Sequence, residues 1–144
     1  MGVTPLSKAV RDAPFAIVEM LFEHGGNIDQ SNLLPTAVFR KDPRARQKMV
    51  EYLLQKGAPV NAVQYQNDRP VAYLMHEAFG LGTPLHYAAA QGDLDVLRLL
   101  VTYGAKLDIK NSCGETALER AEYEGHQAAA QFLRAQQSGV AANL

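Results

Sequence analysis

The chain has 144 residues, with 14 Lys and Arg against 15 Asp and Glu and a formal net charge of −1, a balance that argues against a globally basic nucleic-acid binder. Its hydrophobic fraction of 47% is that of a folded domain, and a single cysteine, Cys113, excludes both an internal disulfide framework and a cysteine-rich metal site. No run approaches the roughly 18 apolar residues of a membrane span, and the opening residues lack a basic region followed by an apolar core, so an intracellular protein of cytoplasm or nucleus is expected.

Taken in chain order, the sequence repeats itself. Thr4-Pro5-Leu6, Ala9, Ile17-Val18, Leu21-Phe22 and Gly25-Gly26 set the first frame, with helices expected over 5–11 and 14–23. A weaker copy follows in Leu34, Ala37-Val38, Met49-Val50, Leu53-Leu54 and Gly57-Ala58. Its helices are expected over 33–40 and 43–55, with Asp42-Pro43 as cap and first turn of the second. The third unit is the clearest: Gly82-Thr83-Pro84-Leu85-His86-Tyr87-Ala88-Ala89, then Gly92-Asp93 and the stripe Val96, Leu97, Leu99, Leu100. Here Thr83 caps a helix over 84–91, Gly92 ends it in a positive-φ turn, and Asp93 caps a helix over 94–102. Thirty-three residues after Thr83, Thr116 opens a fourth frame through Ala117-Leu118, Ala121, Gly125-His126 and Phe132-Leu133, with helices over 117–124 and 126–136.

This period and the Thr83-Pro84-Leu85-His86 signature resemble the ankyrin repeat family. The resemblance implies an all-α solenoid of four helix pairs in a single domain, with repeats at about 3–31, 32–63, 82–114 and 115–137. One pair cannot hide its apolar face, so stacking neighbours builds the core. The resemblance also implies that His86 and His126 are structural, with His86 bonding backbone groups that hold the loops together.

Two segments depart from the repeat. Arg40 to Lys48 places five basic residues around one acid at the start of a helix, where the dipole already disfavours cations. Arg44, Arg46 and Lys48 are therefore a candidate basic patch for an anion or an acidic segment of a partner. The second departure lies between repeats two and three. The resemblance implies about 12 residues from Gly57 to the next Thr-Pro, yet Thr83 comes 26 residues on. Within this insertion, 64–81, Pro70 starts a stretch in which Val71, Leu74, Met75, Ala78 and Phe79 share one helical face. A short amphipathic helix over 70–79 is expected, packed on the stack because it is too short to persist alone.

The leading functional expectation is a protein-binding module or adaptor. In ankyrin proteins the inner-helix and loop-tip surface contacts the partner, which nominates Phe39, Arg40, Tyr87, Gln91, Lys110, Ser112, Arg120 and Tyr123. The alternative is a small-molecule-binding protein or enzyme whose pocket is walled by the insertion, with Tyr65, Tyr73, His76 and Glu77. His76-Glu77 lacks the second His of a zinc-binding helix, and no phosphate loop, nucleophile elbow or dinucleotide fingerprint occurs. No metal, cofactor or catalytic residue is nominated. A third reading makes the chain part of a longer array, with Phe15, Ile17, Met20 and Phe22 as an apolar flank. A monomer is expected, with self-association through such a flank as the other course.

Overall fold

The computed structural model describes residues 5–26, 33–61, 82–111 and 113–138. Its helices are α1 (Pro5–Asp12), α2 (Phe15–Glu23), α3 (Leu33–Val38), α4 (Pro43–Gln55), α5 (Pro84–Gln91), α6 (Leu94–Thr102), α7 (Ala117–Tyr123) and α8 (Gln127–Ser138). Each odd-numbered helix pairs with the one after it. The odd helices also pack in sequence, α1 on α3, α3 on α5 and α5 on α7, while α4 packs on α6 and α6 on α8. Two layers result, an inner one of odd helices and an outer one of even helices, the arrangement of a stacked solenoid.

Local chemistry explains where the helices start and stop. Oδ2 of Asp42 accepts from the Ala45 amide and Oδ1 of Asp93 from the Val96 amide, each at 3.2 Å, so both outer helices begin on a side-chain cap. Thr116 and Glu119 form a reciprocal box: the Thr116 hydroxyl accepts from the Glu119 amide and Oε1 of Glu119 accepts from the Thr116 amide. These backbone and hydroxyl contacts lower the Glu119 pKa. Pro14 precedes α2 and offers no side-chain cap, as the sequence leads one to expect. Gly92 ends α5 at φ 72°, and a Cβ there would stand 2.7 Å from the His126 ring, so both the turn and the close approach require glycine. Helix α3 stops at Val38, two residues short of the expected end. Phe39 and Arg40 donate to the Thr36 and Ala37 carbonyls in a tighter i to i−3 turn, which delivers the chain in extended form to the Asp42-Pro43 start of α4.

The core runs through all four pairs. Val10 and Val18, Leu33, Ala37 and Leu53, Leu85, Ala88 and Leu97, and Ala121 and Leu133 are all buried. Alanines at 88, 89, 117, 121, 129 and 130 let neighbouring helices approach closely. Small polar links register one repeat on the next. Oδ1 of Asn61 accepts from the Lys106 amide at 2.8 Å, and Asn111 folds the loop before α7 by accepting the Cys113 and Glu115 amides. The expected helix over 70–79, and with it the insertion, lies outside the described residues. None of the helices described is long and apolar enough to cross a membrane.

Candidate functional site

The inner-layer surface was expected to carry Phe39, Arg40, Tyr87, Gln91, Lys110, Ser112, Arg120 and Tyr123. The structure divides them. Tyr123 is 74% exposed, the most open large hydrophobic side chain among the described residues, and Lys110 is exposed in the loop before α7. Gln91 and Phe39 are half-buried. Ser112 lies outside the described residues.

Tyr87 corrects the expectation. Helical periodicity turns it away from the core, yet it is only 1% exposed. Its ring lies 4.9 Å from that of Phe39, and its hydroxyl accepts the Gly82 amide at 3.0 Å. An inner helix flanked on both sides leaves only a narrow strip for solvent, and Tyr87 falls outside it. Thr36, on α3, is buried for the same reason.

Arg40 is a second correction. Its guanidinium donates to the carbonyls of Val10 at 2.7 Å and Ala13 at 2.9 Å. Those oxygens belong to the C-terminal end of α1, where carbonyls lack helical partners. Arg40 thus completes the preceding repeat instead of facing a partner. Arg120 is the third: it is 5% exposed, paired with Glu115 at 3.3 Å and with Glu124 one turn on. The Tyr123 ring lies over this clamped guanidinium at 4.9 Å, a stacked cation–π contact. Tyr123 is therefore exposed but held in place.

The basic patch also divides. Arg44 and Lys48 are exposed, but Arg46 is engaged. It donates to the Asp93 carboxylate at 2.7 Å and to the Arg40 carbonyl at 2.9 Å, with the ion pair mostly shielded. Sequence reasoning missed half-buried Tyr52 and exposed Lys56, which continue the row of Arg44 and Lys48; the four-residue spacing was the available signal.

The histidines of the repeats behave as structural groups. Nδ1 of His86 accepts the Thr83 amide at 3.1 Å, and Nε2 bonds the Glu115 carbonyl at 2.9 Å. Burial pushes the His86 pKa down, against the opposing pull of the Glu115 carbonyl. His126 repeats the device, with Nε2 at 2.9 Å from the Ala90 carbonyl. Each ring joins a repeat to its neighbour. The alternative pocket residues Tyr65, Tyr73, His76 and Glu77 lie outside the described residues. Among the described residues no group of His, Cys, Asp and Glu could hold a metal ion.

A family model for ankyrin repeats, described as three copies, matches residues 60–143. The chain belongs to the ankyrin-repeat family. Within it, the chain is 48% identical over 54 residues to a probable E3 ubiquitin-protein ligase, XBOS33, of Oryza sativa subsp. japonica, a match covering 38% of this chain and 10% of that protein. It is 31% identical over 119 residues to Ankyrin repeat and SOCS box protein 11 of Mus musculus, covering 82% of this chain and 32% of that one. It is 33% identical over 116 residues to Cyclin-dependent kinase inhibitor 2A of Homo sapiens, covering 67% of this chain and 74% of that one. The chain thus spans about a tenth of the rice protein and about a third of the mouse protein. Ankyrin repeats serve generally as protein–protein interaction modules, and the layered helix pairs here are of that kind.

Proposed function

We propose that this chain is an intracellular recognition module, a single repeat domain that grips another protein through the inner-helix and loop-tip surface of its fourth repeat. Tyr123 is the anchor, Lys110 stands at the loop tip, and an acidic segment of the partner meets Arg44 and Lys48. The observation that carries this reading is Tyr123 itself: 74% exposed, yet stacked on an arginine that two carboxylates hold. A fixed, open aromatic loses little freedom on binding. The relative named as a cyclin-dependent kinase inhibitor, covered over 74% of its length, supports binding over catalysis.

A photocrosslinking residue at position 123, compared with one at the exposed outer position Tyr103, tests the reading. A saturable adduct to one protein from position 123 alone, competed by the unmodified chain, is expected. Adducts from neither position, or equally from both, would remove the fourth-repeat surface from the account.

A further inference from the structure

Helix α4 carries the basic part of that reading as a ridge of its own. Arg44, Lys48, Tyr52 and Lys56 recur every fourth residue and so form one ridge on its outer side, about 18 Å long at the helical rise. Two of the cations are ordered by rings. Nζ of Lys48 lies 4.3 Å from the Phe15 centroid, and Nζ of Lys56 lies 5.1 Å from that of Phe22 and 5.3 Å from that of Tyr52. The rings brace one another, with Tyr52 edge-on to Phe15 at 4.8 Å and to Phe22 at 5.9 Å. Among the described residues, no carboxylate comes within ion-pair distance of Arg44, Lys48 or Lys56. A ring face orients an ammonium without cancelling its charge or accepting all its N–H donors. Lys48 and Lys56 are therefore held against rings, with no carboxylate among the described residues to match them.

We infer that this ridge binds an extended acidic segment of a partner protein, with acids at alternate positions and an apolar residue over Tyr52. Alternate side chains of an extended strand recur about every 6.7 Å, and the ridge steps about 6 Å per four residues. Long Lys and Arg stems absorb the difference. Alternation matters because Glu19 and Glu23 share with Phe22, Tyr52 and Lys56 an open groove of about 660 Å³ beside the ridge. A continuous run of acids would meet these carboxylates, whereas neutral residues between the acids would not. The same acidic wall, with exposed Glu51, disfavours a broad polyanion such as a membrane or a nucleic acid. Arg46 takes no part, being spent on Asp93. The inference rests on the reading of the chain as a protein-binding module, but not on Tyr123.

The probe is a labelled seven-residue peptide with Glu at its first, third and seventh positions, Leu at the fifth and Ser between, followed by fluorescence anisotropy at low ionic strength. Saturable binding to the full chain is expected, weakened at least tenfold by Lys48→Glu, Lys56→Glu or Arg44→Glu. Among the described residues Arg44 makes no ring or ion-pair contact, so that variant tests the ridge with the least disturbance of α4. Tyr123→Ala and Arg98→Glu, an equal charge reversal on α6, should leave the affinity unchanged, which separates this surface from the fourth-repeat surface and from mere net charge. The inference is overturned if the folded chain does not bind the peptide, if the ridge variants bind it as well, or if Arg98→Glu weakens it equally. It is also overturned if a peptide with its three Glu contiguous, phosphatidylserine vesicles or a single-stranded oligonucleotide binds as tightly.

Discussion

Arg46 on α4 and Asp93 at the cap of α6 form a 2.7 Å ion pair that joins the outer layer of the second repeat to that of the third. The pair spans the place where the sequence departs most from the repeat period. Asp93 also caps α6 through its other oxygen, so one carboxylate closes a helix and fastens two repeats. Breaking such a shielded pair leaves a charge without its partner. Arg46→Ala should lower stability by about 2 kcal/mol, allowing for the remaining solvent access. Urea unfolding of the single variants and of the Arg46→Ala, Asp93→Asn double variant would show a coupling that additive losses would not.

Arg40 supplies a second prediction. Its fork satisfies carbonyls at the end of α1, and hydrogen bonds from a charged donor contribute about 1.5–3 kcal/mol each where they are sheltered. Arg40→Ala should cost about 2 kcal/mol in all, since the carbonyls regain water. Arg40→Lys should recover only part of this, because an ammonium lacks the planar fork. Amide exchange at residues 9–13 is the readout, with faster exchange expected in both variants.

His86 makes stability depend on pH. Its pKa is held below the ordinary 6.5, first by burial. The unfolded chain therefore takes up a proton at a pH where the folded chain does not. The stability linked to His86 is complete above about pH 6.5 and is lost as pH falls from there toward the lowered folded-state pKa. His86→Gln should flatten this acid-side slope in a series of thermal melts, while lowering stability throughout.

Gly92→Ala should destabilise the junction between repeats three and four. The position combines φ of 72° with a would-be Cβ 2.7 Å from the His126 ring. Strain at a positive φ costs about 1 kcal/mol or more for a residue with a side chain, and the ring must also shift. Pairing Gly92→Ala with His126→Ala in a double-mutant cycle should return the steric part and leave the backbone part.

Much of this architecture was legible because it is local. Asp42, Asp93 and Thr116 each bond an amide three residues on, so their roles follow from the neighbouring sequence. The positive-φ turn at Gly92 is likewise local, though its approach to the His126 ring is not. The surface was harder to read. Periodicity turns Tyr87 outward, but the ring of Phe39, far back in the chain, packs against it. Arg120 looked like a contact residue until Glu115 and Glu124 closed on it. Arg46 looked like its basic neighbours until the fold brought Asp93 to it from 47 residues away. The charge of Arg46 is met by a distant partner that a helical wheel does not contain, whereas Glu124 stands one turn from Arg120 and was readable. The row from Arg44 to Lys56 could have been noticed, since its spacing is local, but the rings that order it come from α2.

The reach of Arg40 into the preceding pair has a consequence for how the protein is made. The last carbonyls of α1 find their donors on a residue about thirty positions later. During synthesis this pair emerges before the next, and until then the last carbonyls of α1 have only water to accept from. The end of the first repeat is thus completed by a side chain of its successor.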